Sequence, residues 1–332
     1  PDFIEFQRAT VPDKLEKMER VQGRNWENNL RLQLVQALET DGTISVIRNG
    51  FPYAGYQTIM GAAPYPSDPR IKNAQRDYGA NILRVMRQVH YQTQGNKSLD
   101  LVFFVNGIPV ATAEVKTELT QSVKDAIDEY RTERKPIEPG TKRRNYLLMY
   151  KRGAVVHFAI SEDEIWMCTN LSGEKPRFLP FNKGTEDGHA GNPPAAEGGY
   201  RTSYFWEQLC QRDNWLHIFQ SFVFEEVSKK EDATGRVRER HTQIFPRFHQ
   251  WDAVTRMLAD VRVNGEGQRY LIEHSAGSGK TETVTWTAHE LANVRDAAGG
   301  RVFSSVIVVT DRLSLDNNIK KTIKQLKKTP GY

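Results

Sequence analysis

Two groups of residues in this chain have the types and spacing to do chemistry. The first lies in LDLVFFVNGIPVATAEVKT, Leu99 to Thr117, and consists of Asp100, Glu114 and Lys116. Two carboxylates with a shared focus bind a hard divalent cation such as Mg²⁺. A cation held there polarises a phosphodiester and lowers the pKa of a bound water, while a lysine orients that water or offsets developing phosphorane charge. Glu-x-Lys has a plainer meaning as well, a solvated strand edge carrying an ion pair. The second group is HSAGSGKT, His274 to Thr281. Its glycines let the backbone curl until several N–H groups face phosphate oxygens, and the start of a helix adds positive partial charge. In such a loop Gly277, Ser278 and Gly279 cradle the phosphates, Lys280 reaches the β- and γ-phosphates, and Thr281 holds Mg²⁺ through its hydroxyl. The strict pattern asks for Gly where this chain has His274.

The flanking pattern says which elements position these residues. The stretch Leu99–Thr117 reads as two apolar strands joined at Asn106-Gly107, with Asp100 opening the first and Glu114 and Lys116 ending the second; the pair suits a type I′ turn because both central residues need positive φ. Period-two alternation puts Glu114 and Lys116 on one face, and the hairpin brings Asp100 alongside. Leu83–Tyr91 alternates as a third strand, with a helix as the alternative. Leu119–Arg134 has helical spacing and ends before Pro136; strands are expected near 146–150, 154–160 and 164–169. Upstream, Trp26–Leu38 is helical, with Glu27 in its first turn: a further acidic contributor to the metal site, or simply a carboxylate favoured by the helix dipole. Residues 49–79 and 182–199 read as loop, and 204–224 as one or two helices. The charged stretch 228–247 reads as an interdomain linker. Beyond it, a helix over 250–260, a short strand at 270–273, the loop, a helix over 281–294 and a buried strand at 304–310 give the opening of a doubly wound α/β domain.

Size and composition narrow the classes. With 332 residues, two or three domains are expected. No apolar run reaches membrane-spanning length, and the start at Pro1 carries no apolar signal segment, so a processed or trimmed N-terminus and a cytoplasmic location are expected. The two cysteines, Cys168 and Cys210, form neither a CxxC pair nor a disulfide framework. The net charge of +5 suits a polyanionic partner such as DNA.

The D-(x)n-ExK arrangement is that of the PD-(D/E)xK nucleases, with Leu99 where Pro often stands. Phe248 and Gln250, about thirty residues before the loop, match the aromatic and the Gln by which superfamily 2 helicases read adenine, and VIVVTDRLSLDNNI resembles their next motif. Together with VVHFAISEDEIWMCTNL and RFLPFNKG, these segments resemble the endonuclease/motor (R) subunit of type I restriction–modification enzymes, over residues 81–318. The resemblance implies an α/β chain in two parts: a PD-(D/E)xK restriction-endonuclease-like domain over 1–227, with a helical C-terminal part at about 203–225, then a partial RecA-like P-loop domain over 248–332. It implies Asp100, Glu114 and Lys116 as catalytic residues, Mg²⁺ and ATP as cofactors, and double-stranded DNA with methyltransferase (M) and specificity (S) subunits as partners. No DExx box follows the loop, so this chain alone is not expected to hydrolyse ATP or move on DNA. The family often has Gln-x-x-x-Tyr on the helix after the lysine; here Ala126 stands four residues before Tyr130, and no such role is carried over. Tyr130 or Arg131 faces DNA or merely an exposed helix side. The alternative for the whole chain is a superfamily 2 helicase or remodeller whose first domain binds DNA without cutting it.

Overall fold

The computed structural model describes residues 1–53, 56–66, 71–92, 95–117, 121–195, 197–231, 235–296, 298–311 and 313–328. The chain divides into two units, residues 1–64 with 76–220 and residues 65–75 with 221–330.

The first unit opens with helices α1 (Asp2–Thr10), α2 (Pro12–Gln22), α3 (Trp26–Thr40) and α4 (Thr43–Asn49) and a small hairpin, β1 (Phe51–Tyr53) with β2 (Tyr56–Ile59). After α5 (Lys72–Gly79) comes a six-stranded mixed sheet in sequential order: β3 (Leu83–His90), β4 (Ser98–Val105), β5 (Ile108–Val115), β6 (Val156–Ile160), β7 (Ile165–Cys168) and β8 (Leu179–Pro180). The turn between β4 and β5 is the expected one: Asn106 and Gly107 have φ of 50° and 76°. Asn106 is fully buried. Its amide donates to the Gly61 carbonyl and to Asn81 Oδ1, and its Oδ1 accepts from the Ile82 N–H, so the turn is held in place from the side.

Only β5 and β6 pair in parallel, which requires a crossover, and α6 (Val123–Thr132) lies in it. A capping box between Ser122 and Asp125 starts α6, and Val123, Ala126, Ile127 and Tyr130 form its buried stripe. That stripe packs with Leu99, Val102, Leu148 and Ala159. A second layer of rings is built by Phe103, Phe158, Phe205, Trp215 and Phe219. They include residues of the π-helical turns Phe205–Leu209 and Ile218–Phe222 and of α7 (Arg212–His217) between them. Burial on both sides explains why β5 reads as an almost unbroken buried run.

The second unit holds an antiparallel hairpin, β9 (Phe224–Glu231) with β10 (Val237–Ile244), and helices α8 (Phe248–Asn264), α9 (Lys280–Asn293) and α10 (Leu313–Lys328). Trp286 of α9 is buried, stacks near Phe222 and Phe224, and donates to the Phe222 carbonyl at 2.9 Å.

Several expectations are corrected. The stretch 49–79 is not only loop, because it contains β1, β2 and α5. Residues 146–148 form a 3₁₀ turn rather than a strand. The charged stretch 228–247 is folded, since its residues lie mostly in β9 and β10; cross-strand pairs such as His241–Glu225 let a highly charged sequence form a hairpin. The strands expected at 270–273 and 304–310 are absent, so the second unit contains no parallel sheet among its described residues. Ile307 and Val309 are 83% and 86% exposed. Apolar runs of this kind become parallel strands only with hydrogen-bonded neighbours and covered faces, and here they have neither.

Candidate functional site

Asp100, Glu114 and Lys116 lie at one end of the sheet, where β5 parts from β4 and keeps β6. It pairs with β4 as far as Ala113, opposite Leu101, and with β6 through Val115, opposite Ile160. Asp100 fills the resulting gap: its Oδ2 accepts the Val115 N–H at 2.9 Å, and its Oδ1 accepts from Gln88 Nε2 of β3 at 2.9 Å. Glu114 is fully buried. Its Oε1 accepts from Arg134 Nε at 2.6 Å, while its Oε2 is buried with no hydrogen-bond partner. Lys116, also buried, donates to Glu129 Oε1 on α6 at 2.6 Å, and Arg134 reaches the same carboxylate at 3.6 Å. The shared face of Glu114 and Lys116 is therefore the α6 face, as the alternation requires.

Burial pushes the Glu114 carboxyl up to about 8 against the opposing pull of the Arg134 guanidinium, and the Asp100 carboxylate beside it adds to the rise. Two neighbouring acidic side chains, one half-exposed and one buried with an idle oxygen, form a donor set suited to a hard cation. Among the described residues no group of three or more His, Cys, Asp or Glu side chains is gathered for a metal, so the set is the Asp100–Glu114 pair.

Glu27 is not brought to this pair. It sits on α3 between Arg8, at 2.9 Å, and Arg31, at 2.7 Å, and those guanidiniums lower its pKa. Tyr130 does not face outward either. It is fully buried, and its hydroxyl lies 2.8 Å from Thr112 Oγ1, which lies 2.8 Å from His157 Nδ1. Arg131 lies over the Phe178 ring. The sequence reading missed Arg134 and Gln88. Arg134 lies two residues past the end of α6, where its N–H donates to the Glu129 carbonyl at 3.0 Å, so no helical pattern marked it. Gln88 stands opposite Asp100 once the β3–β4 register is known.

In the second unit the phosphate loop ends in α9, whose first residue is Lys280 and second Thr281. Gly277 and Gly279 have φ of 73° and 85°, the left-handed conformation that favours glycine. A Cβ at Gly279 would also stand 2.3 Å from Gln250 Nε2. Lys280 Nζ folds back onto the carbonyls of His274 and Ser275, and Ser278 Oγ is buried without a partner. An ammonium group held by loop carbonyls near a helix start, together with curled backbone, fits a polyphosphate chain. Gln250 is buried and uses both ends of its amide locally: Oε1 accepts from Arg247 N–H and Nε2 donates to the Gly279 carbonyl, each at 2.8 Å. Phe248 is buried against Trp251. The pair expected to read adenine thus includes a glutamine that ties α8 to the loop.

The architecture is that of a two-unit α/β chain, with a carboxylate–lysine cluster in a mixed sheet and a Gly-rich loop at a helix start. Comparison with known proteins makes this specific. Residues 67–176, which carry Asp100, Glu114, Lys116 and Arg134, match the family model "Type I restriction enzyme R protein N terminus", and residues 249–331 match "SWI2/SNF2 ATPase". The chain is similar to the type I restriction enzyme HindI endonuclease subunit of Haemophilus influenzae: 22% identity over 272 residues, covering 76% of this chain and 23% of that protein. It is also similar to the putative type I restriction enzyme MjaVIIIP endonuclease subunit of Methanocaldococcus jannaschii: 26% identity over 252 residues, covering 73% and 21%. The chain is similar, at low identity, to these type I restriction enzyme endonuclease subunits, and the match spans between a fifth and a quarter of their length. No described helix is long and apolar enough to cross a membrane.

Proposed function

We propose that the first unit is a PD-(D/E)xK nuclease domain that cuts double-stranded DNA, and that the second binds ATP as the beginning of a RecA-like translocase module. The observation that carries the reading is Glu114: a buried carboxylate beside Asp100, with one oxygen free of any protein donor, two residues before a buried lysine. Asp100 and Glu114 would hold a divalent cation such as Mg²⁺, which when bound supplies Lewis acidity toward a phosphodiester oxygen and acidifies a coordinated water. Lys116, held by Glu129 and two residues after Glu114 on the same strand face, would orient the attacking water or offset charge on the phosphorane. In the second unit Lys280 would exchange its loop carbonyls for phosphate oxygens, and Thr281 would offer its hydroxyl to the accompanying Mg²⁺. Assembly with methyltransferase and specificity subunits, and a cytoplasmic location, belong to the same reading.

Glu114→Ala in a complex reconstituted with those subunits is expected to abolish DNA cleavage while binding of an ATP analogue is unchanged. Cleavage that survives this change removes the site assignment and leaves the helicase or remodeller reading, in which Glu114 and Lys116 are structural. Lys280→Ala is expected to weaken binding of a fluorescent ATP analogue by the chain at least tenfold, as loss of a charge-assisted phosphate contact implies. An unchanged affinity would show that the loop is not the nucleotide site.

A further inference from the structure

Among the described residues, four non-glycine residues have positive φ: Gln88, Asn106, Lys142 and Lys151. Gln88 alone of these lies inside a strand. Backbone held in the left-handed region costs energy for a side chain other than glycine, and it persists where the surroundings impose it, often beside functional sites. The β3–β4 ladder is regular on both sides of the position, with Arg87 opposite Leu101 and Val89 opposite Leu99. The residue across from Gln88 is therefore Asp100. The Gln88 amide is fixed at both ends: its Oε1 accepts from Ser98 Oγ at 2.9 Å, which aims its Nε2 at Asp100 Oδ1, also at 2.9 Å. The second Asp100 oxygen is held from the other side by the Val115 N–H. Asp100 thus stands between two neutral donors, one from each neighbouring strand, and each of its oxygens keeps lone-pair capacity for a cation.

We infer that Gln88 is a positioning residue for the metal site: Ser98 aims its amide, and the amide fixes the rotamer of Asp100 so that its free lone pairs point where a divalent cation is shared with Glu114. The inference rests on the nuclease-site reading above. A donor that orients a metal-binding carboxylate typically contributes ten- to a hundredfold to metal affinity. Gln88 is exposed, so substitution leaves the core intact.

The test is Mn²⁺ affinity of the chain, by calorimetry and by electron paramagnetic resonance of free Mn²⁺, beside the thermal midpoint. The variants are Gln88→Gly, Gln88→Ala and Asp100→Asn. Gln88→Gly removes the amide and relaxes the backbone, so it is expected to melt higher than wild type and to bind Mn²⁺ about tenfold more weakly. Gln88→Ala removes the amide and keeps the strain, so it is expected to melt no higher than wild type, with the same tenfold loss. Affinity that stays at the wild-type value in Gln88→Gly, or that rises and falls with the melting midpoint, overturns the inference. Wild-type Mn²⁺ binding that Asp100→Asn leaves unchanged overturns the site reading itself, and the inference with it.

Discussion

Replacing Arg134 by Met is expected to destabilise the first unit by about 3 kcal/mol at pH 9, and adding Glu114→Gln is expected to recover most of that loss. Arg134 Nε is 2.6 Å from Glu114 Oε1, and both side chains are nearly buried, 11% and 1% exposed. A buried carboxylate stripped of its cation either stays charged at high cost or keeps its proton. Burial already raises the Glu114 pKa to about 8 with Arg134 in place, so removal of the guanidinium raises it further. The direction of the pH effect follows. A carboxyl whose folded pKa exceeds its unfolded value near 4.5 contributes stability that is complete below 4.5 and is lost as pH rises through the folded pKa. The wild-type chain therefore loses this contribution between about pH 4.5 and 8, and in Arg134→Met the loss continues to higher pH. Urea unfolding at pH 6 and pH 9 measures it. A deficit no larger at pH 9 than at pH 6, or one that Glu114→Gln does not relieve, would mean that Arg134 acts on some other group.

That prediction depends on a residue the sequence did not single out, and the reason is geometric. Asp100, Glu114 and Lys116 were legible because strand alternation and a two-residue turn are local rules: Asn106-Gly107 fixes the register, and the register fixes the face. The helix carrying Tyr130 was legible too, from its stripe and the Pro136 stop. Which side of that helix meets the sheet is a tertiary fact, however, and it turned Tyr130 from a candidate DNA contact into a buried hydroxyl. The crossover connecting β5 to β6 in parallel decides it, and no local pattern announces a parallel pairing across so long a connection. Gln88 was hidden differently, since nothing in RQV signals positive φ. The apolar runs 270–273 and 304–310 erred in the opposite sense. Their composition was right for buried parallel strands, but composition specifies only a preference for pairing, and among the described residues neither run finds a neighbouring strand. Gln250 shows the same limit at the side-chain level. An amide suited to an adenine edge is equally suited to a helix cap and a loop carbonyl, and here it makes those two contacts.

Acidification should expose the buried network under α6. Between pH 6.5 and pH 4 the wild-type chain is expected to lose about 3 kcal/mol more unfolding free energy than a His157→Gln variant. His157 is fully buried, and burial lowers its pKa from 6.5 to about 3. Its Nδ1 faces Thr112 Oγ1, which also faces the Tyr130 hydroxyl. With neutral imidazole the chain of donors closes: Tyr130 donates to Thr112, and Thr112 donates to Nδ1. A proton on Nδ1 makes that nitrogen a donor, so either Thr112 accepts from both sides or it turns to donate to Tyr130, and in each case one hydroxyl hydrogen loses its acceptor in the network. Protonation thus adds a broken hydrogen bond to the cost of a buried charge. A histidine whose folded pKa is depressed contributes stability that is present above its unfolded pKa of 6.5 and lost as pH falls toward the folded value. Gln keeps a polar end for Thr112 and has no proton to gain, so its stability curve is expected to be flatter over this range. Urea titrations at half-unit intervals would resolve the difference. Parallel curves for the two proteins would show that His157 reaches solvent before it titrates, and that the Thr112 network opens ahead of global unfolding.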